Sequence, residues 1–340
     1  MKNQTMVIIA IYISALFFIV FLNQYAIYNG NINYTDLIPN YVGPTQKSTQ
    51  LIMYNFNKIK NMKTDFVLVG NSRTKYNIDS KLIQEISGLT GYNSGMASFH
   101  YVYWPTLLPN ILKPGNLKYI VYQIDLDFLY STNDISLKNE FQIEILNGRY
   151  NSFSSLALFF KAYKNGETSF LELMLFSKYT ISSYFNFSYL ENSLKHNFQC
   201  RSKNQTFDDH LAQIFSETKV FHCENNDGYM VSESHPQIKP LKELDTSKIN
   251  SNTLFFIKEF IQQAKIKNIK PIIVLLPTFG IHTSIKTKYL ETILNAPVID
   301  MSNININDHT LWVDTAHLNK TGRREYTKVL GEKLKNIFDN

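Results

Sequence analysis

Asp65-Phe66-Val67-Leu68-Val69-Gly70-Asn71-Ser72-Arg73-Thr74 decides how this chain folds. Four apolar residues in succession, with no polar alternation, read as a short strand buried on both faces, as in a parallel sheet covered on both sides. Gly70 relieves a tight turn, and polar Asn71 and Ser72 follow where a helix can begin.

The same signature recurs down the chain. Lys118–Asp125, Pro271–Pro277 and Pro297–Asp300 are further short apolar runs. Helical patterns lie between them: Ser80–Ser87, capped by Asp79 and striped by Leu82, Ile83 and Ile86; Thr253–Lys267; and Ser284–Asn295. A last helix covers Lys320–Phe338. Buried strands alternating with helices predict an α/β domain around a parallel sheet, with its working groups at the carboxyl ends of the strands. Residues from about 130 to 250 break this rhythm with aromatic runs and polar loops, and are expected to form a helical insertion. The domain is thus assigned to 61–340, preceded by an Asn-rich linker at 29–60.

Residues 1–28 are different. Met6–Leu22 is an uncharged apolar run of 17 residues, with Lys2 before it and Asn23, Gln24, Tyr25 and Tyr28 after it. At about 1.5 Å per residue it reaches roughly 25 Å, near the minimum for a bilayer core. With no small-x-small cleavage site behind it, the expectation is an uncleaved transmembrane signal anchor, placing the rest of the chain outside the cytoplasm. Composition agrees with a polar but weakly charged surface: 18% charged residues against 14% aromatic, with net charge +6 scattered along 340 residues. No basic tail or patch marks a nucleic-acid partner.

Cys200 and Cys223 are the only cysteines, and outside the cytoplasm they read as one candidate disulfide, with free buried thiols as the alternative. Together with His196 and His222 they match no standard zinc spacing, so neither a metal nor another cofactor is expected.

Two segments carry chemistry. Ser72 at a strand-to-helix turn has its hydroxyl raised at the sheet edge, and its own N–H can meet a developing oxyanion. Trp312-Val-Asp314-Thr-Ala-His317 precedes the last helix. There His317 is a candidate general base, and Asp314, three positions earlier, can fix its tautomer. Each alone reads as easily as a helix cap; the pair on one parallel sheet reads better as catalytic.

The pattern resembles the SGNH (GDSL-like) hydrolase superfamily. Gly70-Asn71-Ser72 stands at its first block, Tyr92-Asn93-Ser94-Gly95 is similar to its second, and Asp314-Thr-Ala-His317 to its last. The resemblance spans roughly 64–125 and 250–338. It implies a flavodoxin-like three-layer sandwich, Ser72 as nucleophile, Asp314 and His317 as its partners, and Ser72 and Gly95 N–H groups in the oxyanion hole. The anchored layout resembles the branch that moves or removes acyl groups on surface polysaccharides. That branch implies an acylated glycan substrate, an extracytoplasmic site on a bacterial membrane, and a membrane acyl donor as partner. Arg73, Asn93 and Trp312 are the substrate-contact candidates. Two departures stand out: Asn71 replaces the usual Asp of the first block, and the Asn-containing third block is missing after Asp125-Leu-Asp127. A carboxylate cannot donate to an oxyanion unless protonated. The alternative reading is therefore a non-catalytic membrane-anchored scaffold or glycan-binding protein on a degraded hydrolase fold.

Overall fold

The computed structural model describes residues 62–95, 117–130, 153–167, 219–222, 227–230 and 241–339, with isolated positions at 14, 59, 104, 105, 108, 112, 169, 170, 173, 174, 236 and 237. Five strands form one parallel sheet: β1 (Phe66–Val69), β2 (Gly91–Asn93), β3 (Tyr119–Asp125), β7 (Lys270–Leu276) and β9 (Val298–Asp300). The spatial order is β2-β1-β3-β7-β9, and every neighbouring pair runs parallel.

The apolar runs alternate between the two faces of this sheet. Val67, Val69, Ile120, Tyr122, Ile124, Ile273 and Leu275 enter one core, which α5 (Ser251–Ile266) closes with Phe256, Ile257, Phe260, Ile261 and Ala264. The helix α6 (Thr287–Leu294) adds Leu290 and Leu294 to that layer. Phe66, Leu68, Val121, Ile272, Val274 and Leu276 enter the opposite core, closed by Tyr326, Leu330 and Leu334 of α7 (Lys320–Phe338). Spacing of four residues along α7 puts these three side chains on one stripe. The short helices α1 (Ser72–Asn77) and α2 (Ser80–Ser87) lie in the same layer as α7. At their junction Arg323 donates to Ile78 O at 2.9 Å and pairs with Asp79 at 3.2 Å, while Thr327 Oγ1 accepts from Asp79 N at 3.1 Å.

Asp79 caps α2 as expected, accepting from Lys81 N and Leu82 N. The helix expected over Ser284–Asn295 starts later, at Thr287, four irregular residues after the short strand β8 (Ile281–His282), which pairs with β6 (Lys242–Glu243). The insertion is also not wholly helical. It contributes α4 (Phe153–Lys164), which docks on α5 through Lys161 Nζ–Glu259 Oε1 at 2.5 Å, and an antiparallel hairpin of β4 (Lys219–His222) and β5 (Asp227–Met230). The strand β5 lies beside α1. A five-residue helix α3 (Leu126–Tyr130) continues from β3. Among the described residues no helix is long and apolar enough to cross a membrane. The proposed anchor Met6–Leu22 lies outside them, Ser14 apart, as do the linker (Ile59 apart) and both cysteines.

Candidate active site

The chain leaves β1, turns at Gly70-Asn71 and enters α1 with Ser72 as its first helical residue. Helix α1 packs tightly down on the turn: a Cβ on Gly70 would lie 2.0 Å from Thr74 Oγ1 and 3.2 Å from Gln123 O of β3. Asn71 caps the helix, its Oδ1 accepting from Arg73 N at 2.9 Å. Since β1 is followed in space by β2 on one side and β3 on the other, Ser72 stands where the strand order reverses. The crevice at such a reversal is where ligands enter open α/β sheets.

The second segment is held by its own local bonds. Trp312 and Leu318 form an antiparallel bridge, and Val313 N donates to His317 O at 2.8 Å. Inside this loop Asp314 Oδ1 accepts from Ala316 N and His317 N, both at 2.7 Å. Its carboxylate also meets His317 Nδ1, at 2.9 Å through Oδ2 and 3.1 Å through Oδ1. A carboxylate facing Nδ1 keeps the proton on that nitrogen and leaves Nε2 as the acceptor. His317 Nε2 lies 3.0 Å from Ser72 Oγ. Ser72, His317 and Asp314 therefore form one continuous hydrogen-bonded chain across the carboxyl edge of the sheet.

Burial opposes the charge on Asp314. The bonds from the His317 ring and from the Ala316 and His317 N–H groups outweigh it, holding the carboxyl down to about 2. The ring of Tyr76 meets that of His317 edge-on at 6.0 Å, and burial pushes the Tyr76 phenol up, so it remains a neutral wall.

Helix α1 also fixes the base. Asn77, at its far end and fully buried, donates from Nδ2 to Ala316 O at 2.9 Å and accepts at Oδ1 from Leu318 N at 2.9 Å. These are the two residues flanking His317. Sequence reasoning missed Asn77, since nothing in Lys75-Tyr-Asn-Ile78 marks a side chain that reaches a loop 239 residues away.

The remaining candidates stand elsewhere. Arg73 is not on the surface: it is 3% exposed, pairs with Asp125 Oδ1 at 2.9 Å and donates to Thr278 Oγ1 at 3.1 Å, so it is not a sugar contact. Asn93 is fully buried and donates to Thr74 O at 3.0 Å, tying β2 to α1. Gly95 N–H is spent on Asn93 Oδ1 at 2.9 Å rather than offered to an oxyanion, and a Cβ there would strike Lys75 N at 2.3 Å. Trp312 is fully buried against Phe279, with Nε1 donating to Asn305 O at 2.7 Å, which makes it core rather than a sugar platform. Asp125 accepts from Asn71 Nδ2 at 2.5 Å in addition to pairing with Arg73. Ser72 N–H has no hydrogen-bond partner among the described residues.

A separate groove of about 1030 Å³ opens beside the starts of α5 and α6, lined by Tyr130, Asp245, Lys258 and Tyr289 among others. None of Ser72, Asp314 and His317 lines it. Among the described residues no cluster of three His, Cys, Asp or Glu is placed to hold a metal ion. No protein-family model and no curated protein matches the chain.

Proposed function

We propose that this chain is a serine-dependent acyl-transfer enzyme, an ester hydrolase or O-acyltransferase working through an acyl-Ser72 intermediate. The observation that carries the reading is the chain from Ser72 Oγ through His317 to Asp314, built from segments 245 residues apart with each link at 2.9–3.0 Å. A structural serine and a surface histidine have no need of a carboxylate on the far side of the ring.

His317 Nε2 takes the proton as Ser72 Oγ attacks the carbonyl carbon of an ester. The tetrahedral oxyanion faces Ser72 N–H, and Asp314 steadies the imidazolium. Collapse breaks the ester bond, with His317 returning its proton to the departing alkoxide and the acyl group left on Ser72. Water or a sugar hydroxyl, deprotonated by His317, then attacks the acyl-serine and restores the free hydroxyl.

The finer assignment rests on resemblance: an SGNH-like, flavodoxin-like sandwich, anchored by Met6–Leu22 with its domain outside the membrane, acting on acyl groups of a cell-surface or secreted polysaccharide. The strand order 2-1-3-4-5, counted along the sheet-forming strands, supports the fold part of it. The low-charge composition supports a carbohydrate substrate.

Labelling of the full chain with a fluorophosphonate, read by intact mass, tests the chemistry. Wild type should take up one adduct, and Ser72→Ala and His317→Ala should take up none. A wild type that stays unlabelled refutes the enzyme and favours the scaffold.

A further inference from the structure

We propose that Asp125 is the positioning residue of Ser72, acting through the two residues on either side of it; this rests on Ser72 being the nucleophile. Asp125 ends β3, is 8% exposed, and divides its two oxygens between the neighbours of Ser72. Oδ2 accepts from Asn71 Nδ2 at 2.5 Å, and Oδ1 pairs with Arg73 NH1 at 2.9 Å. Asn71 Oδ1 closes the ring by accepting from Arg73 N at 2.9 Å. The second arm of the Arg73 guanidinium reaches Thr278 Oγ1, just beyond β7, at 3.1 Å.

The turn that presents Ser72 is thereby pinned to the ends of β3 and β7, neither of them its own strand. Among the described residues the Ser72 hydroxyl has one hydrogen-bond partner, His317, so its place is set by the backbone on either side, and that backbone is what Asp125 holds. Arg73 neutralises the buried carboxylate, which would otherwise put an unpaired charge beneath the nucleophile.

This arrangement dictates the residue at 71. The side chain there must accept from Arg73 N and also donate to Asp125, which an amide does and a carboxylate does not. An Asp at 71 would face Asp125 at 2.5 Å, where two carboxylates cannot both stay charged. Asn71 and the acid at 125 are thus two halves of one bond. The donor and acceptor can be exchanged together but not separately.

The exchange is the test. In the full chain, Asn71→Asp should lower the fluorophosphonate labelling rate, per folded molecule, by about 100-fold, the scale of an ångström's misplacement. Crystal structures of the same variant should show Ser72 Oγ withdrawn beyond hydrogen-bond reach of His317 Nε2. The reversed pair, Asn71→Asp with Asp125→Asn, should recover labelling to within about tenfold of wild type and restore the roughly 3 Å contact. A merely structural pair would change stability while leaving labelling per folded molecule alone. Wild-type labelling in N71D, or a reversed pair no better than N71D, overturns the proposal. Should N71D not fold, Asp125→Asn alone gives the comparison and should also label more slowly; unchanged labelling there overturns the proposal. If wild type itself does not label, the nucleophile reading fails, and the proposal then stands or falls on the Ser72–His317 distance in the variants.

Discussion

Replacing Asn77 by Ala removes both bonds that bracket His317. Asn77 and Leu318 are fully buried, so water does not take over the Leu318 bond, while Ala316 is only part-buried. Leu318 N–H, itself buried, loses its acceptor, and Ala316 O loses a donor. An orphaned buried group costs about 1–3 kcal/mol, and because Ala316 O is only part-buried the loss at Leu318 N–H sets the cost of Asn77→Ala at about 1–3 kcal/mol. At about 2–4 °C per kcal/mol for a domain of this size, Tm should fall by about 2–12 °C. The loop carrying Asp314 and His317 should loosen as a unit, because Asp314 is bonded within that loop. The imidazole then leaves its 3.0 Å station on Ser72 Oγ, and labelling should slow by about 10²-fold in protein that is still fully folded. The assay pairs thermal unfolding followed by circular dichroism with fluorophosphonate kinetics well below both transitions. A variant that melts within about 1 °C of wild type, or labels within about twofold of it, shows that α1 does not hold the base.

Two further outcomes follow from other contacts. Asp314 is held below its ordinary value of 3.8, so the folded chain binds its proton less readily than the unfolded one; its stabilisation is present above about pH 4 and is lost as pH falls toward about 2. With the side chain 48% exposed, solvent screening limits this to about 1 kcal/mol or less. Urea titrations of wild type and Asp314→Asn should converge across that window, and the variant should label about 10²–10⁴-fold more slowly at neutral pH. Equal pH dependence in the two proteins would contradict the assignment. Trp312→Phe loses the bond to Asn305 O and should cost about 1–3 kcal/mol by denaturant unfolding with no change in KM for a sugar ester; a raised KM would return Trp312 to the substrate.

The strands were legible because their burial is complete: Phe66–Val69, Tyr119–Asp125 and all but the first residue of Lys270–Leu276 show no solvent-facing period, which only a doubly covered parallel sheet explains. Strand β2 was not, since three residues with one glycine carry no period at all. Ser72, Asp314 and His317 were legible because a serine at a strand end and an Asp-x-x-His before the last helix are a rare combination on one parallel sheet. Arg73 misled because an arginine beside a serine reads as exposed until its partner is known, and that partner sits on another strand. Trp312 misled because an indole suits stacking on a sugar face as well as it suits a core, and here the ring turns into the core. Asn77 and Asp125 act wholly through contacts between distant segments, so no local window contains their role.

The distance in sequence between Ser72 and His317 has a consequence for how the protein is made. Chains emerge from the ribosome N-terminus first, and early segments begin to fold before later ones exist. Strand β1 and helix α1 come early in the described domain, whereas Asp314 and His317 are synthesised only just before α7. Until that stretch arrives, Asn77 has nothing to bracket and Ser72 is an ordinary alcohol. On the proposed reading the arrival of that stretch is the step that arms Ser72, and a product truncated before residue 314 would lack both the base and its carboxylate.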